Sequence, residues 1–379
     1  MSHSDALIPV FKPLLECEEQ EACRSSLEDG WLGMGRSVGL FEAELRALLE
    51  TEDRFVVAVS TGHAALHLAL LLAGVGRGDE VITASFNNIA DLQAILACGA
   101  EVVFCDILDD TLCIDVNKIE SLISPRTKAI ICTDYGSHLA DHASLDALAT
   151  RNNIRIIHDA AHSFGGSGAD GRMVGATSDL AIFSFDPVKT ITCIDGGAVV
   201  VRSKLEVESL HQMRLIGMSQ SASLMYENKR AWTYDVEQLG FRYHMANLHA
   251  QVGLSQLAKL PRIRANRFSY FRRYEDEFNT LTTLRTPGML LGDSLPFLYY
   301  VRVRAGDRDR FRQHLRESGV DTGIHWQPGH WLTLFRQSRR GDLSVTDQVG
   351  HEIVSLPFHS DMDPRTLDRV IDAVKTFSP

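Results

Sequence analysis

Between residues 55 and 202, short continuous apolar runs alternate with longer stretches of helical periodicity. The runs are FVVAVS (55–60), EVITAS (80–85), EVVFCDI (101–107), AIICTDY (129–135), RIIHDAA (155–161), LAIFSFD (180–186) and GAVVVR (197–202). They are apolar throughout rather than at alternate positions, the mark of strands covered on both faces. The intervening AALHLALLLAGV, IADLQAILACGA and SLDALATRNN read as helices. The pattern predicts an α/β fold whose large domain holds a mostly parallel, seven-stranded sheet with helices on both sides.

After residue 203 the pattern shifts to longer helical segments, above all ANLHAQVGLSQLAKLPRIRANRFSYFRRYEDEF. Strand-like LTTLRTP, LPFLYYVRVRA and VDTGIHW follow, with a helix FRQHLRESG among them. The expected division is a large α/β domain over 1–264, including the N-terminal segment, and a smaller α+β domain over 265–379. A chain of 379 residues has room for both.

In parallel sheets, ligands gather beyond the carboxyl ends of the strands. The residues there are Ser60 to His63, Ser85 to Asn88, Tyr135 to Ser137, Asp159 to His162 and Ser184 to Lys189, and all five groups are polar. That shared polarity is the first functional signal.

Composition narrows the partners. A hydrophobic content of 45% is that of an ordinary globule. No apolar run approaches the roughly 20 residues that cross a bilayer, and MSHSDALIPV lacks a basic region followed by an apolar one, so a cytoplasmic protein without a membrane partner is expected. A net charge of −11 without clustered Lys or Arg argues against nucleic acid, and anionic ligands must then be held by local donors. The seven cysteines are scattered, form no C-x-x-C pair and read as reduced core residues.

One lysine stands out. Lys189 follows SFDPV at the end of an apolar strand, where Pro187 breaks regular structure. A lysine in low-dielectric surroundings loses proton affinity and can form a Schiff base with an aldehyde. Asp159 closes RIIHD; it is either a helix cap or a buried carboxylate that needs a cation such as the pyridinium of pyridoxal phosphate. STGHAALHLAL sets small residues before a helix, a place for a phosphate, to which Ser184 could add a hydroxyl. Two other motifs are set aside. GVGRGD (74–79) precedes a strand rather than following one, so it reads as a helix stop, not a dinucleotide fingerprint. HDAAH (158–162) has the spacing of a zinc helix motif but lies at a strand end, where its histidines would not share a helix face; no metal site is expected, and a hydrolase built on His158 and His162 is the remote rival.

SFDPVKTITCIDGGAVVV resembles the lysine segment of the DegT family of pyridoxal-phosphate sugar aminotransferases, of fold type I. GWLGMG, VAVSTGHAALHLAL, the YG at 135, HDAAHSFG, LGFRYHMANLHAQVGLSQL, GIHWQPGH and LPFH fall in the family's order along nearly the whole chain. The resemblance implies a homodimeric enzyme that moves an amino group, with glutamate as the expected donor, onto a keto carbon of a nucleotide-linked deoxysugar. It makes Lys189 the Schiff-base lysine and proton shuttle, Asp159 the partner of the ring nitrogen, and His162 a neighbour of the phenolic oxygen. Thr61, Gly62, His63 and Ser184 fall at the phosphate side, and Tyr135, His325 and His330 at the substrate side. Three positions depart from the family pattern: His63 stands for a common Thr, Asn88 for the ring-stacking aromatic with Phe86 two residues away, and Arg242 for a phosphate-binding Asn of the neighbouring subunit. The family's dehydratases replace the lysine by histidine, so Lys189 favours transamination over dehydration; a non-catalytic sugar-nucleotide or cofactor-binding relative is the other alternative.

Overall fold

The computed structural model describes residues 7–136, 138–288 and 294–378, which leaves Ser137 of the third polar group outside the described residues. The strands are β1 (Phe55–Val59), β2 (Glu80–Ala84), β3 (Glu101–Cys105), β4 (Thr127–Thr133), β5 (Arg155–Asp159), β6 (Leu180–Ser184), β7 (Gly197–Val201), β8 (Leu284–Arg285), β9 (Tyr299–Val303), β10 (Arg339–Arg340) and β11 (Ile353–Leu356). The helices are α1 (Cys17–Asp29), α2 (Arg36–Leu48), α3 (Gly62–Leu72), α4 (Ile89–Ala97), α5 (Val116–Ile119), α6 (His142–Asn152), α7 (Lys204–Met213), α8 (Ala222–Tyr226), α9 (Asn247–Phe278), α10 (Arg308–Glu317), α11 (Ser344–Glu352) and α12 (Pro364–Lys375).

All seven apolar runs form strands of one sheet, in the order β1-β7-β6-β5-β4-β2-β3-β10. Its pairings are parallel except where β7 meets β1 and β6. Their continuous hydrophobicity reflects cover on both faces: Ile131 packs on one side with α3 and α4, and its neighbour Ile130 on the other, both fully buried. α3 is rich in Ala and Leu, good helix formers, and is buried from Ala64 to Leu70 between α4 and the sheet.

The sheet has an eighth strand that hydrophobicity did not mark. β10 consists of two arginines and extends the β3 edge; Arg339 is held there by an ion pair to the buried Glu80 (2.5 Å) and a hydrogen bond to Leu122 O (2.6 Å). Beyond it a three-stranded sheet in the order β11-β9-β8 packs with α10, α12 and the C-terminal half of α9 around Phe271, Tyr274 and Phe278. The strand-like VDTGIHW forms no strand: its backbone makes isolated bridges, Val320 to Ile8 and Gly323 to Ser355, and then turns away. LTTLRTP contributes two residues, as β8. α9 runs unbroken through position 264, its first half on α1 and α2 and its last turns in the smaller core.

Candidate active site

The polar residues that follow the strands meet on one rim. β7 is antiparallel to both neighbours, so β1 and β6 run the same way as β5. Their carboxyl ends bring Thr61, Gly62, Asp159 and Ser184 to the wall of a cavity of about 470 Å³ that Lys189 also lines. Helix N-termini open onto the same rim with free backbone N–H groups.

Lys189 is placed by its own local sequence. β6 ends at Ser184, and Phe185 then donates its N–H to Gly196 O (2.8 Å) and accepts that of Cys193 (2.9 Å), closing the segment between into a loop. Inside it Asp186 O accepts the Lys189 N–H (3.0 Å) and Asp186 Oδ1 that of Val188 (2.9 Å), a β-turn with Pro187 at its second position, where a fixed φ suits it. The Lys189 ammonium lies over the Phe297 ring, 4.8 Å from its centroid. The glycine opening β7 answers to packing: a Cβ on Gly197 would stand 2.4 Å from Thr61 O and 2.8 Å from Gly62 N, so a side chain there would push the start of α3 away.

The start of α3 closes the other side. Thr61 Oγ1 accepts the Ala64 N–H (2.9 Å) as N-cap, and a Cβ on Gly62 would lie 2.7 Å from Ser184 Cβ and Oγ. The Ser184 hydroxyl thus sits beside the backbone of the first helical turn, a donor set suited to an anion. His63 and Asn88 both line the cavity and clamp one residue of α4: Ala90 O accepts from His63 Nδ1 (3.1 Å), and Asn88 Oδ1 accepts the Ala90 N–H (2.9 Å).

Burial sets the electrostatics. It lowers the proton affinity of Lys189 against the pull of Asp159, Asp186 and Asp91. Burial raises the Asp159 pKa although the Ala161 N–H at its Oδ1 (3.0 Å), Lys189 and His158 act the other way. His162, 2% exposed, lies between Phe297 (centroids 4.1 Å) and Trp326 (4.9 Å), and burial followed by the charge of Lys189 drives its pKa well down. Its Nδ1 accepts the Gly136 N–H (3.3 Å), which puts the proton of the neutral ring on Nε2.

Other residues singled out in the sequence lie elsewhere. Phe86 is buried against Tyr135 and does not line the cavity. Tyr135 donates its hydroxyl to His325 O, beneath Trp326. His325 Nδ1 pairs with Ser355 Oγ (2.9 Å), and burial with Lys189 pushes its pKa down to about 4. His330 is engaged at both nitrogens, by Ser85 Oγ (2.7 Å) and Asp347 (3.0 Å). Arg242 lies outside the Lys189 cavity of its own chain, in a second pocket with Trp232 and Tyr234. His158 and His162 line different cavities. His158 turns to Asp134 Oδ2 (2.7 Å) and His142 to Asp134 Oδ1 (2.9 Å); these are the separations of hydrogen bonds, and the two imidazoles hold Asp134 well below the usual carboxylate range despite its burial.

Three residues of the site were not found from the sequence: Asp91, Trp326 and Phe297. Asp91 reads as an ordinary first-turn acid of α4, and Phe297 reaches Lys189 from a hundred residues away in sequence, roughly, by a chain path that no local pattern shows. The signal available for Trp326 was its place in GIHWQPGH.

The sequence model of the DegT/DnrJ/EryC1/StrS aminotransferase family matches residues 13–375. Among solved structures, the aminotransferase TlmJ of Streptoalloteichus hindustanus is 29% identical with a TM-score of 0.89, over 97% of this chain and 98% of its own. DesV of S. venezuelae, solved with a ketimine intermediate, is 30% identical with a TM-score of 0.86 over the same shares. The sugar aminotransferase CalS13 of Micromonospora echinospora shares the fold, at 23% identity and a TM-score of 0.87, over 98% of this chain and 100% of its own.

Proposed function

The chain belongs to the DegT/DnrJ/EryC1/StrS aminotransferase family, and from that premise we propose that it is a pyridoxal-phosphate-dependent enzyme that moves an amino group from glutamate to a keto carbon of a nucleotide-linked deoxysugar. The observation that carries this reading is the meeting of Lys189 and the buried Asp159 on one cavity wall at the carboxyl rim of the sheet.

The residues present fit the cofactor. The cradle between Gly62 and Ser184, too tight for a Cβ, offers backbone N–H groups and a hydroxyl to a phosphate. Asp159 is a buried carboxyl suited to a cationic ring nitrogen. Lys189 is an amine whose lowered proton affinity suits attack on an aldehyde. When bound, the cofactor supplies that aldehyde and an electron-withdrawing ring.

The protein's own work is then positioning and proton transfer. Thr61, Gly62 and Ser184 anchor the phosphate end. Asp159 would hold the ring nitrogen protonated, and neutral His162, with its proton on Nε2, would serve as a donor beside the ring. With the cofactor bound, the Lys189 amine would be the base that takes a proton from the donor's alpha carbon and the acid that returns one to the ketosugar carbon. Phe297 and Trp326 cover this space with apolar surface. His63, Asn88 and Ala90 line the cavity, and Tyr135, His325 and His330 belong to the substrate side. Arg242, turned away from its own cavity, serves the phosphate of a partner subunit in a cytoplasmic homodimer.

Glutamate should discharge the visible absorbance of the cofactor-loaded protein, and a nucleotide ketosugar should restore it. The Lys189→Ala variant should lose turnover while still holding the cofactor. Unchanged turnover in that variant, or no spectral response to any amino donor, overturns the reading.

A further inference from the structure

A second carboxyl shares the wall with Asp159. Asp91, in the first turn of α4, is fully buried and lines the same cavity. Its neighbours fix how its two oxygens are used. Asn87 Oδ1 accepts the Asn88 N–H (2.7 Å), which orients the amide and turns its Nδ2 to Asp91 Oδ2 at 2.5 Å. The same Nδ2 also lies within reach of Thr83 Oγ1 (3.1 Å) and Thr133 Oγ1 (3.0 Å), and the Thr133 hydroxyl donates to Asp91 Oδ2, also at 3.0 Å. With two donors aimed at Oδ2, an acid proton belongs on Oδ1, which has no hydrogen-bond partner among the described residues. Thr133 pairs with Asp159 across β4 and β5, so the hydroxyl that anchors Asp91 belongs to the residue beside Asp159, and the two carboxyls interact.

Two buried carboxyls on one cavity wall, each feeling the other's charge, disfavour being ionised together. Their surroundings divide the roles. Asp159 has the Ala161 N–H and the nearby positive charge of Lys189 and His158 to favour its anion. For Asp91, burial and the charge of Asp159 push the pKa well above the carboxylate range, so the pair's proton rests there.

We propose that Asp91 is a positioning residue: a neutral acid whose Oδ1 proton, without a partner among the described residues, turns to Asp159 once a pyridine nitrogen is bound there, keeping Asp159 ionised and oriented so that the ring nitrogen retains its proton. The proposal rests on the cofactor reading above. Without the donor, Asp159 becomes the stronger base, the proton shifts from ring nitrogen to carboxyl, and the ring withdraws electrons less well. A side-chain amide keeps a donor in the same place; a methyl group does not.

The test uses pyridoxal phosphate labelled with ¹⁵N in the ring, bound to wild type, Asp91→Asn and Asp91→Ala at neutral pH. The wild type and D91N should show the ¹⁵N resonance of a protonated ring, and D91A that of an unprotonated one. The glutamate half-reaction should fall about 10–100-fold in D91A, the usual scale for losing a partner that orients a functional ligand, and by only a few-fold in D91N. A protonated ring in D91A, or an unprotonated one in D91N, overturns the proposal. D91N alone can refute it should D91A fail to fold. Failure of the wild type to form a hydride-trappable adduct with the cofactor overturns the cofactor reading itself, a result distinct from a wild-type adduct whose ring proton ignores position 91.

Discussion

At the scale of single residues, the site depends on side chains that water cannot fully solvate. Lys189 has a proton affinity below the ordinary lysine value of 10.5 because burial disfavours its charge. The neutral amine is the form that attacks an aldehyde, so covalent uptake of pyridoxal phosphate by the cofactor-free protein should speed up with rising pH and level off below about 10.5. Stopped-flow absorbance would follow it, and a rate still climbing through that value contradicts the burial argument. Asp159 was legible in the sequence because it closes an apolar strand, and Lys189 because it follows one, in the turn after β6, so strand polarity carried both to one rim. Asp91 and Phe297 were not: one resembles a helix-start acid, and the other meets Lys189 through a tertiary contact between distant segments. Phe86 shows the converse limit, since an aromatic near the right place in sequence faces the core once β2 and α4 are formed.

At the scale of elements, the site is held by close approach of backbone to backbone. β7 passes against the first turn of α3 because Gly197 has no side chain, and Gly62 in that turn lies as closely against Ser184. Gly197→Ala should cost about 1–3 kcal/mol in urea denaturation and weaken cofactor binding, since the added methyl meets main-chain atoms that cannot rotate away. Gly76→Ala, where a Cβ meets nothing within 4 Å, should stay within about 0.5 kcal/mol of wild type. Equal effects at the two positions would contradict the close-packing account. The seven apolar strands could be read directly because two-sided burial writes an unbroken hydrophobic run. β10 could not, since its place at the edge depends on the Arg339–Glu80 ion pair, nor could the fate of VDTGIHW, whose apolar ends make single bridges rather than a ladder.

At the scale of the whole molecule, the segment between α7 and α9 leaves apolar side chains in water. Trp232 is 90% exposed and Leu239 75%, with Ile216, Tyr234 and Val236 also exposed and Arg242 close by in the same pocket as Trp232. A homodimer that covers this face would join the Arg242 of one chain to the cavity of the other. Sedimentation of the wild type should give the mass of two chains, and Trp232→Asp with Leu239→Asp should give one chain and weaker cofactor binding. A wild-type monomer with full activity contradicts the shared-site proposal. Among the described residues no helix is long and apolar enough to cross a membrane.

The measurement that bears most directly on the whole account is reduction of the cofactor-loaded protein with borohydride, followed by peptide mass analysis. The expected result is a pyridoxyl mass increment on the peptide carrying Lys189, absent from Lys189→Ala. An increment on another lysine, or none at all, contradicts the central claim that this residue joins the cofactor.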